Sequence, residues 1–392
     1  MDFLSFSMNS WEDLWQSRHQ IMSRLARNHK VLFVSPPFYV HDVLLKSRRA
    51  TLPESGLQRR ENDLYTLVPP RCLFENHRFD ALNRLSAYLR ERQIHRILRT
   101  LGFHDVVLFL WNPRYADLPG RFGEKVSCYY VDEEFTSYYD LSKEEKQSIR
   151  KKEDALLERV DLVFANGSAL LEQKSSFGNA FNVPMGVDFD LFSKALLPET
   201  AISPDLAALP SPRIGYVGNV NDKVDFELLY NLACRRKSWS IVLVGPVSIR
   251  TPEFAAHFEK LKTLPNVFQL GFKPIGELPN YVKGLDVCLM CYRTDGWAYF
   301  GYPLKLHEYL AGGKPVVSSD LPSIREFDGL IRIVHTDDEW MKAIELSLSD
   351  NESDTVQKRV RVASQNTWDE RVRVIEEAIA RKMSEKTAFP PG

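Results

Sequence analysis

The chain has 392 residues, of which 44% are hydrophobic, 26% charged and 11% aromatic. This composition is ordinary for a globular protein and excludes collagen-like, low-complexity and disordered chains. Lys and Arg number 51 and Asp and Glu 52, so the formal net charge is −1. A global positive field is therefore excluded, and no nucleic-acid partner is expected. The length predicts two domains or one large one.

Five cysteines occur along the chain, and only Cys288 and Cys291 form a C-x-x-C pair. The pair lies inside an apolar run, and no second Cys or His pair stands nearby to complete a metal site. The pattern therefore favours the packing of a buried strand over a zinc or redox site. Unpaired thiols in a chain of this length indicate a reducing, cytoplasmic environment.

The N-terminal segment carries Asp2 where a secretory signal needs Lys or Arg, and serines interrupt its apolar residues. No window approaches the roughly 20 apolar residues that a membrane-spanning helix needs. We therefore expect a cytoplasmic protein whose contact with a membrane is at most peripheral, on the inner face of the cell membrane.

Short β-rich segments alternate with helical patterns throughout the first half, which is typical of βαβ units with a parallel sheet. Helices are predicted at Arg18–Arg27, Phe79–Leu101 and Glu144–Val160. Strands are predicted at Phe3–Met8, Lys30–Ser35, Leu64–Val68, Val106–Leu110, Val126–Val131 and Leu162–Asn166.

A proline-rich segment with little periodicity, Ala195–Pro212, predicts an interdomain linker, and the alternation then begins again. Strands are predicted at Arg213–Val217, Ser240–Val244, Val267–Leu270, Asp286–Tyr292, Pro315–Ser318 and Ile331–Val334. Helices are predicted at Asp225–Arg235, Pro252–Lys262, Ile275–Gly284, Leu304–Ala311, Asp338–Ser347 and across the tail from Glu352 to Met383.

These patterns predict an α/β protein with two doubly wound, Rossmann-like domains that face each other across a cleft. The first domain is expected to span residues 1–195. A linker at 196–212 leads to a second domain at 213–365. A C-terminal helix within 366–392 is expected to pack back across the domains.

A Gly/Asn loop follows the first predicted strand of the second half, running from Gly218 and Asn219 to Lys223. Gly218 lets the backbone approach an anion closely, the next helix directs N–H groups towards it, and Lys223 adds a charge. A strand–glycine–helix corner is also a common packing device, so this pattern alone does not define a site.

A second loop, Gly296–Pro303, is rich in aromatic residues and glycine and leads into a helix that carries Lys305 and Glu308. Lys305 can neutralise phosphate where the helix dipole favours negative charge. Glu308 lies at i+3 and faces the same side, where its carboxylate can accept hydrogen bonds from a ribose diol. The alternative is a surface ion pair between Lys305 and Glu308, which would add little stability. A cation for phosphate and an acceptor for ribose at this i, i+3 spacing favour a nucleotide site.

The string P-L-K-L-H-E-Y-L-A-G-G-K-P-V-V at Pro303–Val317 resembles the donor-nucleotide signature of GT-B glycosyltransferases, most similar to family 4 of the bacterial polysaccharide enzymes. Similar segments follow in the right order over nearly the whole chain, at Trp15–Pro37, Asp161–Asn166, Gly186–Phe192, Ile214–Gly218 and Leu243–Pro246. The resemblance implies a GT-B fold in which the first domain binds the acceptor and the second binds the nucleotide-sugar donor. The residues expected to bind the donor nucleotide are Gly218, Asn219, Lys223, Gly301, Tyr302, Lys305, Leu306 and Glu308.

Two positions depart from the family pattern. Family members often carry a second glutamate eight residues before the one matched by Glu308, and this chain has Phe300 there. They also often have an arginine after the strand-end glycine, where this chain has Asn219. The departures fall where the donor sugar and the diphosphate would be held, so the identity of the donor stays open.

Glycosyl transfer requires stabilisation of the leaving diphosphate, for which the expected groups are Lys305, Lys223 and the backbone of Gly301 and Gly218. The resemblance implies an enzyme without a catalytic metal or other cofactor. We therefore expect a nucleotide-sugar co-substrate, with UDP-sugar favoured.

Asp132 follows the apolar strand Val126–Val131 and resembles the position where an inverting GT-B enzyme carries its catalytic aspartate. If Asp132 is a base, it would deprotonate the acceptor hydroxyl and the reaction would invert the anomeric configuration of the sugar. If it is the N-cap of the next segment, its role would be structural. If Asp132 is not the base, the likeness to family 4 implies a reaction that retains the anomeric configuration. His19 is the other candidate, with a capping role as its alternative.

The predicted helix that begins at Arg78 is basic, with apolar residues beside its arginines, and the loop expected before it carries Lys46, Arg48, Arg49, Arg59 and Arg60. Such a helix is typical of docking to anionic lipid. The alternative is a solvated basic face on a helix whose apolar side packs on the sheet, and this alternative is slightly favoured. The leading hypothesis is a hexosyltransferase that acts on a saccharide or lipid-linked saccharide in polysaccharide, including exopolysaccharide, or cell-surface glycan synthesis. The alternatives are a sugar-nucleotide epimerase of the same fold and a non-catalytic binding protein.

Overall fold

A computed structural model describes residues 1–39, 54–75, 80–350 and 352–388. The first sheet has the strand order β3-β4-β2-β1-β5-β6-β7-β8, and only the β3–β4 pair in it is antiparallel. Its strands are β1 (Asp2–Phe6), β2 (Val31–Val34), β3 (Gly56–Arg59), β4 (Leu64–Val68), β5 (Val106–Leu110), β6 (Val126–Val131), β7 (Leu162–Ala165) and β8 (Ala180–Asn182).

The second sheet is parallel and has the order β11-β10-β9-β12-β13-β14, so β9 lies at its centre. Its central strands are buried on both faces, as expected where helices cover a parallel sheet. The strands are β9 (Arg213–Val217), β10 (Ser240–Val244), β11 (Val267–Gly271), β12 (Val287–Met290), β13 (Val316–Ser319) and β14 (Arg332–Val334).

The helices connect these strands in the βαβ manner. In the first half they are α1 (Ser17–Leu25), α2 (Asp80–Thr100), α3 (Lys143–Leu157), α4 (Ser168–Lys174) and α5 (Phe189–Phe192). Further along the chain they are α6 (Pro204–Ala207), α7 (Phe226–Arg235), α8 (Pro252–Lys262), α9 (Leu278–Gly284), α10 (Gly296–Phe300), α11 (Lys305–Ala311), α12 (Asp337–Leu348), α13 (Ser353–Ser364) and α14 (Trp368–Ala388).

Each sheet has its own core. One face of the first sheet packs against Ile94 and Leu98 of α2, and the other against Ile21 of α1 and Ile375 of α14. A separate cluster surrounds β9 in the second sheet. The last helix of the chain therefore completes the core of the first sheet.

The chain returns to the first sheet just before α14. The N–H of Val187 donates to the carbonyl of Asn366 at 2.9 Å, and the N–H of Trp368 donates to the carbonyl of Val187 at 3.2 Å. A Cβ on Gly186 would lie 2.7 Å from the backbone nitrogen of Trp368. Glycine is required there because two backbone segments cross in direct contact.

The expected fold class, a pair of doubly wound α/β units, is confirmed by the two sheets. Strands β4, β5, β6, β9 and β10 have the predicted bounds. The sequence did not predict β3 and β8, which are only four and three residues long and lack buried side chains. The tail is helical as predicted and consists of two helices, α13 and α14.

The structure places the C-x-x-C pair in the core around β12, where both cysteines are fully buried. Burial raises the pKa of both thiols, so they remain protonated at neutral pH. Among the described helices, none combines the length and apolarity needed to cross a bilayer.

Candidate functional site

Loops at the carboxyl ends of β9 and β10 approach each other closely. Gly218 follows β9 with a φ of +149°, and Gly245 follows β10 with a φ of +143°. A Cβ on Gly245 would collide with the carbonyl oxygen of Gly218, and one on Gly218 would overlap the side chain of Lys305. Both positions therefore require glycine, and Lys305 lies directly over the loop after β9.

Lys305 begins α11 and is only 9% exposed. Its ammonium lies 5.5 Å from the centre of the Tyr216 ring, and no hydrogen bond or ion pair reaches it from the described residues. Burial lowers its pKa, and the charge of Glu308 partly opposes that effect. A buried ammonium without an ionic partner is a binding point for an anion.

Glu308 lies one turn further along α11 and is 8% exposed. Burial raises the pKa of its carboxyl group to about 7, although Lys305 acts in the opposite direction. In the described part of the chain no donor hydrogen-bonds to this carboxylate. Its oxygens are therefore available to hydroxyl donors of a ligand.

Lys223 lies between two aromatic rings at the start of the second domain. Its ammonium is 5.6 Å from the centre of the Tyr292 ring and 5.2 Å from that of Trp297. Burial and the nearby charge of Lys305 lower its pKa to about 8, with Glu133 of the first domain acting in the opposite direction. Two lysines thus concentrate positive charge in one place, which an anion would stabilise.

The backbone amides expected to bind phosphate are used within the protein. The N–H of Gly218 donates to the carbonyl of Val244 at 2.7 Å, and the N–H of Gly301 donates to the carbonyl of Ala298 at 3.2 Å. Both amides are therefore already satisfied. Positive charge beside these loops comes from the side chains of Lys305 and Lys223.

Three other donor-side candidates have local partners. The Asn219 side-chain oxygen accepts a hydrogen bond from Ser248 at 2.8 Å. The hydroxyl of Tyr302 lies 2.7 Å from Nε2 of His307, and both side chains are buried. Leu306 is fully buried in the core of the second sheet, which makes it a packing residue.

Asp132 lies at the carboxyl end of β6 and is 6% exposed. Its Oδ2 forms an ion pair with Nη1 of Arg18 at 3.1 Å, while its Oδ1 has no hydrogen-bond partner in the described structure. Burial raises the pKa of the carboxyl group to about 7, although Arg18 opposes the shift. A carboxylate with one held and one free oxygen near pH 7 has the properties of a general base.

The two domains meet next to this carboxylate. The Tyr138 ring stacks on that of Trp297, with centroids 5.1 Å apart. The Tyr139 hydroxyl donates to the backbone oxygen of Asp295 at 2.9 Å. Residues after β6 therefore contact the loop that also surrounds Lys223, which brings Asp132 to the side of the first domain that faces the two lysines.

His19 has a capping role. Its Nδ1 accepts a hydrogen bond from the N–H of Gln16 at 3.1 Å, and its Nε2 lies 3.3 Å from the carbonyl oxygen of Ser10. Burial lowers its pKa to about 4, so the ring is neutral at pH 7. Both nitrogens are occupied, which favours the structural alternative over a catalytic one.

Two features escaped the sequence analysis. Arg18 is 114 residues from Asp132 along the chain, and no local pattern signals that pairing. Phe300, which stands where the family often has glutamate, packs against the hydrophobic cluster of the first sheet. The missing carboxylate is thus replaced by an interdomain apolar contact.

Replacing Glu308 by Gln should stabilise the protein at pH 8. Because the native pKa of about 7 lies above the ordinary value of 4.5, stability is lost as the pH rises from 4.5 to 7. Glu308→Gln removes this penalty and should raise the free energy of unfolding at pH 8 by about 1–3 kcal/mol, with little change near pH 4.5. Urea denaturation at both pH values measures the effect, with the exposed Glu199→Gln as control. Equal stability of the variant and the wild type at pH 8 would contradict it.

Comparison with known proteins agrees with this geometry. Residues 211–350 match the family model described as Glycosyl transferases group 1. The chain is 29% identical over 191 residues to a protein named as a teichuronic acid biosynthesis glycosyltransferase, TuaH of Bacillus subtilis (strain 168). The match covers 47% of this chain, which spans about half the length, 46%, of that curated relative.

Solved structures are similar over almost the whole chain. Sucrose-phosphate synthase from Thermosynechococcus elongatus has a TM-score of 0.73 at 14% identity, covering 98% of this chain and 100% of that one. Anabaena HepE in complex with UDP and glucose has a TM-score of 0.69 at 14% identity, covering 97% and 100%. The fold is therefore GT-B, and residues 211–350 are similar to the group 1 glycosyl transferases.

Proposed function

We propose that this protein is a glycosyltransferase that moves a sugar from a nucleoside-diphosphate sugar, with UDP favoured, to a saccharide or lipid-linked saccharide. The observation that carries the proposal is the arrangement of Lys305, Lys223 and Glu308. Lys305 and Glu308 are buried and Lys223 is half-buried. Within the described structure, neither the two ammonium groups nor the carboxylate forms an ion pair. These groups complement a diphosphate and a ribose. The names of TuaH and of the UDP-bound HepE support polysaccharide synthesis and a uridine donor.

On the donor side, the two lysines would stabilise the negative charge that develops on the leaving diphosphate. In a buried site an ammonium interacts with that charge far more strongly than in water. Glu308 would accept hydrogen bonds from the ribose hydroxyls and fix the nucleotide. We propose that these side chains supply the stabilisation without a metal ion.

On the acceptor side, Asp132 would act as the base through its free Oδ1. It takes the proton of the acceptor hydroxyl while the hydroxyl oxygen forms a bond to the anomeric carbon. The bond from that carbon to the diphosphate oxygen breaks, and the diphosphate leaves with the electron pair. A direct displacement of this kind inverts the anomeric configuration.

The first domain would also contact the membrane through α2. Ile94 and Leu98 of this helix are buried against the sheet, whereas its first half exposes Leu82, Leu85 and Leu89 by 38%, 53% and 39%. Arginines follow along the same helix, as expected of a surface that docks on anionic lipid. Arg78 and the loop residues Lys46, Arg48 and Arg49 lie outside the described residues. The expected loop position of Arg59 is wrong, because Arg59 lies in β3 and Arg60 follows it directly.

Nucleotide binding tests the donor site. A ligand that binds only the native state raises the melting temperature, and tighter binding raises it more. Among UDP, GDP, ADP, CMP and dTDP, we therefore expect the largest increase with UDP. Lys305→Met should weaken UDP binding by about 10–100-fold, the value of hydrogen bonds to a charged group. Lys342→Met, which removes an exposed lysine of α12, should bind UDP normally. Failure of the wild type to bind any of the five nucleotides would contradict the proposal.

The base is tested by the product and by pH. Proton NMR of the product should show inverted anomeric configuration, and Asp132→Asn should reduce kcat by about 10²–10⁴-fold without weakening UDP binding. The acid limb of kcat/KM should lie near pH 7 and move upwards in Arg18→Met, because Arg18 lowers the pKa of Asp132. The exposed Asp140→Asn serves as control. A retained configuration, or turnover without an acceptor as in an epimerase, would overturn this assignment.

Membrane docking is tested by co-sedimentation with vesicles of phosphatidylcholine containing about one third phosphatidylglycerol. The wild type should sediment at low salt and be released as the ionic strength rises. Leu85→Gln with Leu89→Gln should abolish binding, while Leu346→Gln, at a leucine of α12 that is 48% exposed, should not. Absence of sedimentation by the wild type even at low salt would rule out this docking surface.

A further inference from the structure

A cavity of about 860 Å³ lies in the first domain, between α2 and the segment that follows β5. Its floor is formed near the carboxyl ends of the strands by Phe6, Val34 and Leu67. The cavity therefore opens at the same edge of the first sheet that carries Asp132 after β6. Its volume is in the range of small-molecule sites and exceeds that of a single sugar.

The charge of this cavity differs from that of the whole chain. The described residues that line it include five cationic and three anionic side chains, which gives a net formal charge of +2 in a protein of net charge −1. One of the cations, Arg121, is paired with Glu91 at 3.0 Å. Arg84 and Lys152 have no acidic partner among the described residues. The unbalanced charge favours a negatively charged occupant.

Two arginines in the cavity share one carboxylate. Nη2 of Arg90 lies 3.1 Å from one oxygen of Glu75, and Nη2 of Arg114 lies 2.5 Å from the other. The side chain of Arg90 is only 15% exposed, that of Arg114 22% and that of Glu75 28%. One positive charge thus remains without a counter-ion in a poorly hydrated place, where it carries a desolvation penalty.

Both guanidinium groups are held in fixed positions. Arg90 also donates to the carbonyl of Leu73 at 2.8 Å. The guanidinium of Arg114 lies 5.6 Å from the ring centres of Tyr39 and Tyr115. Planar guanidinium groups that are held in advance bind carboxylate and phosphate oxygens through paired hydrogen bonds with little further loss of entropy.

We propose that this cavity binds an anionic group of the acceptor, with Arg114, Arg90 and Arg84 as its ligands. The inference rests on the proposed function, because it assigns the cavity to the acceptor of that reaction. The shared chemistry of the ligand is a singly or doubly charged oxyanion on a saccharide, either the carboxylate of a uronic acid or a phosphate ester. Neutral sugars would lack the group that the arginines require.

The test compares charged and neutral probes in a binding assay that does not depend on turnover. Methyl β-glucuronide, glucose 1-phosphate and neutral methyl β-glucoside are titrated into the full chain by calorimetry or ligand-observed NMR. We expect at least one charged probe to bind about tenfold or more tightly than the neutral glucoside. The glucuronide and phosphate arms distinguish a carboxylate from a phosphate ligand.

Variants identify the residues. Arg114→Met and Arg84→Met should each remove most of the preference for the charged probe, whereas Arg96→Met, which changes an exposed arginine of α2 outside the cavity, should keep it. If the Arg114→Met variant still binds UDP, it is folded. The Arg84→Met variant changes an exposed side chain, so it tests the cavity without altering the protein interior. Equal binding of charged and neutral probes, or wild-type preference in both variants, would overturn the proposal. Failure of the wild-type protein to bind UDP would instead count against the proposed donor site alone.

Discussion

The close approach of Lys305 to Gly218 determines how the rest of the candidate site is arranged. The lysine side chain occupies the space where any other residue at 218 would place its Cβ, and Gly245 in turn lies against the carbonyl of Gly218. Three segments from β9, β10 and α11 are thus held within van der Waals distance. This contact places a buried ammonium over the carboxyl end of the central strand, where ligands of parallel sheets bind.

Burial of charge is the common property of the residues assigned here to chemistry. The pKa values of Asp132 and Glu308 are raised to about 7, and that of Lys223 is lowered to about 8, in each case mainly by burial. None of these arrangements benefits the folded state by itself, because each keeps a charged or titrating group out of water. They fit a protein in which stability is given up so that a ligand, once bound, can supply the missing partners.

The sequence predicted the parts of this structure that depend on local patterns. Apolar runs with sharp ends located β5, β6, β9 and β10. The glycine after β9 and the Lys–Glu spacing in α11 indicated the candidate donor site, which stays a prediction. The ion pair of Asp132 with Arg18 joins residues 114 positions apart, and its geometry depends on the assembled sheet. The role of His19 was undecidable from sequence because only the structure shows that both ring nitrogens are occupied.

The position of α14 has a consequence for the synthesis of the chain. This helix supplies Ile375 and Trp368 to the core of the sheet that begins at residue 2, and the crossing at Gly186 holds it there. While the ribosome is still translating the second domain, one face of the first sheet lacks this cover and exposes apolar side chains. The first domain is thus the first to emerge and the last to be completed, and a fragment that ends after residue 195 would leave part of its core open to water.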